Sequence, residues 1–293
     1  MRIFVTGAGG FVGSTLTQEL LDAGHQVVGL ARSDAAAAKA AGLGAEVVRG
    51  ELKDLDLLRE TAATSDGVAH TAFSNDFSNI EAGVAEDRAA VTAIGEALVG
   101  SGKPFVVTSG SAVVPGQVAT ESDESVLLGP LSGRGATVNA ALALADDGVR
   151  SSSIGLPRSV HGTGGNFGLV SMLVTVARAK GVSGYPADGS NRWPAVHVKD
   201  AARLFRLALE QAPAGSRLHA VAEEGIALKT IAEALGRFLN LPTASVAAEE
   251  FGPIGPMFAI DQPASATQTR QLLGWEPVEI GLIEDIETGG YTN

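Results

Sequence analysis

One glycine-rich turn constrains this chain more than any other stretch: Thr6-Gly7-Ala8-Gly9-Gly10-Phe11-Val12-Gly13. It follows a short apolar run at residues 3–6 and opens a helical pattern over residues 11–23. A strand that turns sharply into a helix needs a residue without Cβ, which Gly7 supplies. Gly10 lets the backbone come close to a pyrophosphate, and Gly13 lets the helix lie against the strand. The helix N-terminus then offers N–H donors and a positive dipole end to phosphate. A glycine pattern alone fits any tight turn. At the first strand–helix junction of an alternating chain it points to dinucleotide binding, with Gly7, Gly10, Phe11, Val12 and Gly13 as the contacts.

The alternation is clear over the first two-thirds of the 293 residues. Nearly all-apolar runs at 3–6, 26–30, 45–49, 67–71, 105–108 and 153–156 read as strands. Helical patterns at 11–23, 34–41, 54–63, 79–99 and 136–145 lie between them. Such strands belong in a parallel sheet covered on both faces. Beyond Pro157 the rhythm loosens, with helices expected at 167–179, 199–211, 228–239 and 265–273 and short strands at 218–221 and 245–247. The expected division is a nucleotide-binding part, 1–160, and a smaller C-terminal lobe, 161–293, that lends segments back to the main sheet. The connection from 113 to 133 is long for a compact domain, which favours a binding or gating role and ordering when ligand binds.

Composition narrows the chemistry. The absence of Cys removes disulfides, thiolate metal sites and thiol nucleophiles. No two His stand at ligand spacing with a carboxylate, so no metal is expected. A net charge of −12 argues against nucleic acid as a partner. No apolar run reaches the roughly 18 residues of a membrane span, and the start lacks a signal-peptide pattern, so no membrane contact and a cytoplasmic location are expected. A Ser-His-Asp hydrolase would want a G-x-S-x-G elbow, which Ser109-Gly110-Ser111 lacks.

Dinucleotide folds usually place an acid on the adenosine ribose about 20 residues past the glycines. Here that position is Ala31, followed by Arg32-Ser33. A guanidinium beside a hydroxyl suits a 2′-phosphate and favours NADP(H) over NAD. The alternative is an exposed Arg32 on a turn, with Asp34 serving the ribose as a shifted acid.

Ordered segments along nearly the whole chain resemble the short-chain dehydrogenase/reductase superfamily, in its extended or atypical, epimerase/dehydratase-like branch. They are the Thr6–Gly13 turn, Gly50-Glu51-Leu52, Val68-Ala69-His70-Thr71-Ala72, Val107-Thr108-Ser109-Gly110-Ser111-Ala112, Leu156-Pro157-Arg158-Ser159-Val160-His161-Gly162, Trp193-Pro194-Ala195-Val196-His197-Val198-Lys199-Asp200 and Leu272-Leu273-Gly274-Trp275-Glu276-Pro277. The resemblance implies an α/β fold, a Rossmann-type doubly wound parallel sheet with a smaller C-terminal substrate lobe. It also implies cofactor contacts at Glu51 and Leu52 beside the adenine, at Thr71, Ala72 and Phe73, at Thr108 and Ser109, and at Pro157, Ser159 and Val160 beside the nicotinamide.

The superfamily's acid–base pair, Tyr-x-x-x-Lys on the helix after the fifth strand, is missing. The chain's two Tyr are Tyr185 and Tyr291, and no Lys lies between Lys103 and Lys180. By register Arg134 stands near the Tyr position and Val138 near the Lys position. Ser111 matches the family's catalytic Ser, with Arg134 or a solvent chain as helper. His161 is the nearest group that titrates near neutrality, or else a loop histidine bonded to backbone. Tyr185 either reaches over the cleft or packs. His70 and His197 read as locally bonded and structural, and His25 and His219 as strand-flanking.

Three readings stay open: an atypical NADP(H)-dependent oxidoreductase on a carbonyl, alcohol or imine; a redox-inactive NADP-binding regulator; and a nucleotide-sugar epimerase or dehydratase. Phe73, Phe77, Phe167, Met172, Trp193, Met257 and Phe258 are candidates to line an apolar substrate cleft. The expected partner is that small molecule, and a homodimer is left open.

Overall fold

The computed structural model describes residues 1–74, 79–124, 132–163, 168–289 and 291. Chain order is β1 (Arg2–Thr6), α1 (Phe11–Asp22), β2 (Gln26–Ala31), α2 (Asp34–Leu43), β3 (Glu46–Arg49), α3 (Leu55–Ala63), β4 (Gly67–His70), α4 (Ile80–Leu98), β5 (Pro104–Gly110), α5 (Ser132–Ala143) and β6 (Arg150–Leu156). There follow β7 (Ser159–His161), α6 (Leu169–Lys180), β8 (Ser183–Pro186), β9 (Arg192–His197), α7 (Val198–Gln211), β10 (Ser216–His219), β11 (Glu223–Ala227), α8 (Leu228–Leu239), β12 (Thr243–Val246), a 3-10 helix (Ala248–Ile254), α9 (Gly255–Phe258), α10 (Thr267–Leu273) and α11 (Leu282–Glu287).

Seven strands form one parallel sheet in the order β10-β6-β5-β4-β1-β2-β3. This is a Rossmann-type doubly wound fold. One face carries α1 and α7, where Leu16 and Leu20 meet Phe205, Leu204 and Leu209 over Ile3 and Val5. The other carries α3, α4 and α5, with Leu58, Val91, Ile94, Leu98 and Ala141 over Phe4, Phe105 and Val107. Both faces are dry, which is why these strands read as unbroken apolar runs. Full burial of each large side chain contributes about 1.5–3 kcal/mol.

Two segments from the second half return to this sheet. β10 adds the seventh strand beside β6, with His219 opposite Gly155, and α7 packs beside α1. The Trp275 indole donates to the Asp200 carbonyl on α7 at 2.9 Å, and the Asp200 carboxylate accepts from the backbone N–H of Val278 and Glu279. This joins the two C-terminal sequence segments that resembled the superfamily.

A third core, of Val170, Leu173, Trp193, Leu228, Leu235, Phe258 and Ile286, holds the remaining elements. They include two small sheets, β11-β9-β7 and β12-β8. Sequence periodicity marked neither β7, β8, β9 nor β11. These strands are three to six residues long. β9 also carries Pro194 opposite a register shift in β11, where its missing N–H breaks no ladder bond. Among the described residues no helix is long and apolar enough to cross a membrane.

Candidate functional site

The site grows from the carboxyl ends of β1, β2, β4, β5 and β6. Gly7 sits at φ 74°, a conformation that favours glycine, and its carbonyl accepts the Gly10 N–H at 2.8 Å. A Cβ on Gly13 would lie 2.0 Å from that carbonyl oxygen, so helix and turn touch through the missing side chain. Gly10, the N-cap of α1, has no side-chain cap bond, and no acid stands in the first turn. The first-turn N–H groups of α1 therefore stay available to an anion, and the turn fits a dinucleotide pyrophosphate. By contrast α2 is closed by its own cap, Ser33 Oγ accepting the Ala36 N–H, with Asp34 in its first turn.

Past the end of β2 Arg32 is exposed. Asp34, the alternative ribose acid, is engaged by Arg49, whose guanidinium also donates to the Ser33 carbonyl at 2.7 Å. Two guanidiniums thus flank the turn after β2. Arg49 lay outside the sequence expectations because β3 was read only as a strand. Glu51 pairs with Lys53 at 2.7 Å, and Leu52 joins the core under β2 and β4.

The side chains expected as contacts at the end of β4 have partners within the chain. Thr71 Oγ1 donates to the Thr6 carbonyl at 2.6 Å, so its hydroxyl ties β4 to the glycine turn while its oxygen can still accept. The Phe73 ring lies under the Arg134 guanidinium, 3.9 Å from its carbon. Thr108 Oγ1 likewise donates to the His70 carbonyl.

Beyond β5 opens a cleft of about 600 Å³. Its walls include Ser109, Ser111, Arg134, Pro157, Arg158, His219, Met257 and Gln262. Ser111 and Arg134 are therefore brought together, as the register required. Gln262 Nε2 donates to the Ser111 carbonyl at 2.8 Å and to its Oγ at 3.3 Å. Gln262 Oε1 in turn accepts from Arg158 Nε at 2.8 Å. Burial pulls Arg158 down to about 10.

Arg134 donates to the Thr108 carbonyl at 3.3 Å, and its Nε lies 3.9 Å from Asp87 Oδ2. Burial lowers its pKa, and Asp87 opposes that shift. Asp87 Oδ1 meets His70 Nε2 at 3.2 Å, and His70 Nδ1 meets Thr6 Oγ1 at 3.0 Å. A buried polar line thus runs from the glycine turn to the cleft. Asp87 escaped notice because Glu86-Asp87-Arg88 reads as a solvated charge run. Its place on the inner face of α4, among Gly83, Val84, Ala90 and Val91, was the available signal.

Other expected residues fall elsewhere. His161 is buried on β7, its Nδ1 3.1 Å from Asp285 Oδ2 and its ring 5.3 Å from that of His197. It forms no part of the cleft wall, because β7 runs beside β9 into the third core. Tyr185 packs on β8, with Lys229 over its ring at 5.9 Å, again outside the cleft. Ser159 is buried, and Val160 packs against the first core. Of the expected apolar lining Met257 is present, whereas Trp193 and Phe258 pack together at 5.4 Å and Met172 lies against the same third core. Phe77 and Phe167 lie outside the described residues, as does 125–131 of the long connection. His219, read as strand-flanking, instead lines the cleft.

Comparison with known proteins agrees with this architecture. Residues 3–221 match the model of the NAD dependent epimerase/dehydratase family. An uncharacterized protein of Saccharomyces cerevisiae is 44% identical over 100% of this chain and 100% of its own. Another, of Schizosaccharomyces pombe, is 46% identical over 99% of this chain and 100% of its own. Among solved structures, UDP-glucose 4-epimerase of Thermotoga maritima with UDP-glucose superposes with a TM-score of 0.81 at 17% identity, covering 99% of this chain and 98% of that one. With its glycine turn, sheet order and full-length relatives in agreement, the chain belongs to the NAD-dependent epimerase/dehydratase family.

Proposed function

We propose that this protein binds NADP(H) in preference to NAD(H) and reduces the carbonyl or imine of a largely apolar small molecule, or oxidises the matching alcohol or amine. The observation that carries the reading is the shared cleft of Ser111 and Arg134 beside the ends of β5 and β6. In this reading residues 1–160 hold the cofactor, with α7 and β10 returning to support them, and residues 161–293 mainly shape the substrate side.

The glycine turn and the α1 N-terminus would hold the pyrophosphate, and Arg32 with Ser33 the 2′-phosphate. When bound, the reduced dinucleotide supplies a hydride to the carbonyl carbon. Everything else falls to the chain. The Ser111 oxygen already accepts from Gln262, so its own proton is free to point at the substrate oxygen. Arg134 keeps unused N–H donors after its bond to Thr108, and these stabilise negative charge developing on that oxygen. Phe73 holds the guanidinium flat from below. Ala112, Val138, Leu156, Leu169, Leu218 and Met257 supply the apolar wall.

Titration with NADPH and NADH, followed by a consumption screen over aldehydes, ketones and imines, tests the reading. Tighter NADPH binding with turnover of an apolar carbonyl or imine supports it. Tight binding with no turnover across the screen favours a regulator, and turnover of a nucleotide sugar favours an epimerase or dehydratase.

A further inference from the structure

We propose that His219, backed by Glu121, is the proton-transfer group that takes the place of the missing Tyr and Lys. The inference rests on the oxidoreductase reading above. His219 stands at the carboxyl end of β10, in register with Gly155 of β6, which is itself in register with Ser109 of β5. A Cβ at Gly155 would lie 2.9 Å from His219 Cδ2 and 3.1 Å from Ser111 Cα. The imidazole edge and the Ser111 backbone therefore approach each other across the space a side chain would fill.

The ring is fixed in one tautomer. Nδ1 lies 2.9 Å from the Ser265 carbonyl, which only accepts, so Nδ1 carries a proton. In the neutral ring Nε2 is then the bare nitrogen, next to Cδ2 on the edge that faces Ser111. It makes no hydrogen bond among the described residues, and the residue lines the cleft.

Glu121 is joined to this strand by a short chain of bonds. The His219 N–H donates to Thr269 Oγ1 at 2.8 Å, and Thr269 donates from Oγ1 and from N to Glu121 Oε1 at 2.7 and 2.6 Å. The other oxygen, Oε2, is buried with no hydrogen-bond partner among the described residues, on a residue only 3% exposed. A buried carboxylate oxygen without a donor is costly unless a cation or donor visits it. The Glu121 carboxylate acts on the imidazole through its charge and favours the protonated ring. Among the described residues the charged groups of the cleft that holds the ring are Glu121, Asp123 and Glu124 from the connection after β5, Arg217 on β10 itself, paired with Glu124, and Arg134 and Arg158 on the cleft wall. Burial lowers the His219 pKa below its ordinary value, and the two carboxylates oppose the shift.

The step balances as follows. In reduction the carbonyl carbon gains the hydride of the reduced nicotinamide dinucleotide, which is thereby oxidised. The C=O π bond breaks, and the oxygen takes the Nε2 proton of the imidazolium, leaving neutral His219 and an alcohol. In oxidation the neutral ring removes the hydroxyl proton as the hydride departs to the oxidised dinucleotide.

The test is the pH dependence of kcat in both directions for the wild type and for His219→Asn, whose amide can still donate to the Ser265 carbonyl. Wild-type reduction is expected to fall about tenfold per pH unit above a midpoint below 6.5, with oxidation rising over the same interval. His219→Asn is expected to lose on the order of 10²-fold at the optimum and to show neither limb, while its NADPH Kd stays within twofold. His219→Gln serves the same purpose if the Asn variant does not fold. A readout free of turnover is the 15N NMR titration of the His219 ring, whose midpoint should move lower in Glu121→Gln. A variant that keeps the wild-type pH profile, or a midpoint indifferent to Glu121→Gln, overturns the proposal while leaving the oxidoreductase reading intact. A wild type that turns over no carbonyl or imine overturns both.

Discussion

Gly13→Ala is the sharpest single perturbation of the cofactor site. The new methyl would sit 2.0 Å from the Gly7 oxygen, 2.7 Å from the Gly7 carbonyl carbon and 2.8 Å from Thr71 Oγ1. Carbon–oxygen contacts settle near 3.3 Å, so the carbonyl must retreat by roughly 1.3 Å. That carbonyl belongs to backbone at φ 74° and accepts the Gly10 N–H at 2.8 Å, so it cannot move without opening the turn. Overpacking of this kind costs about 1–3 kcal/mol of stability. Misplacing one N–H that would meet a phosphate removes a charge-assisted bond of about 1.5–3 kcal/mol, which raises the NADPH Kd roughly ten- to a hundredfold. Calorimetric titration with NADPH, beside thermal unfolding, reads both quantities. Gly42→Ala is the control: it lies inside α2 with open space around its Cβ, so it should stabilise by about 0.5–1 kcal/mol and leave Kd alone. A Gly13→Ala protein with wild-type Kd and Tm would refute the argument that this turn cradles the pyrophosphate.

Arg32→Ala should weaken NADPH on the order of tenfold and leave NADH unchanged in the same titration; equal losses for both cofactors would remove Arg32 from the 2′-phosphate. Gly155→Ala inserts a methyl between His219 and the Ser111 backbone, so kcat should drop at least tenfold with NADPH Kd unchanged, and an unaffected kcat would count against that juxtaposition. Burial beside Asp285 raises the Tyr291 pKa, so its phenol is neutral in the folded chain well above the unfolded value of about 10. Stability from this group is present below that value and is lost as pH rises past it; denaturant midpoints of Tyr291→Phe should fall less steeply above pH 10 than those of the wild type.

The nucleotide half was legible because its strands are buried on both faces and its turns are glycines with one job each. Every strand expected before Pro157 exists, and the boundaries moved by three residues at most, because apolar runs of that kind fit nowhere but a covered parallel sheet. The second half of the chain was harder to read. β9 contains a proline and pairs across a bulge, so its pattern of two was broken in the sequence. The proposed proton-transfer residue was harder still. His161 and Tyr185 were the nearest candidates along the chain, yet β7 buries His161 against Asp285 and β8 packs Tyr185 against the third core. His219 comes to Ser111 only because β10 returns beside β6 and Gly155 leaves a gap there, and no local pattern encodes a strand's neighbour. Asp87 was hidden for the opposite reason, as a buried acid inside a charged triplet.

The central claim is that this chain moves a hydride between NADP(H) and a small molecule despite lacking the family's Tyr. Mass spectrometry of the product formed from NADPH deuterated at one face of nicotinamide C4 tests it most directly. The account predicts one deuterium on the new carbinol or amine carbon, from one face only, with no label from deuterated solvent at that carbon. A product left unlabelled by both the cofactor deuterated at one face and the cofactor deuterated at the other, or NADPH bound tightly with no labelled product from any carbonyl or imine, would contradict it.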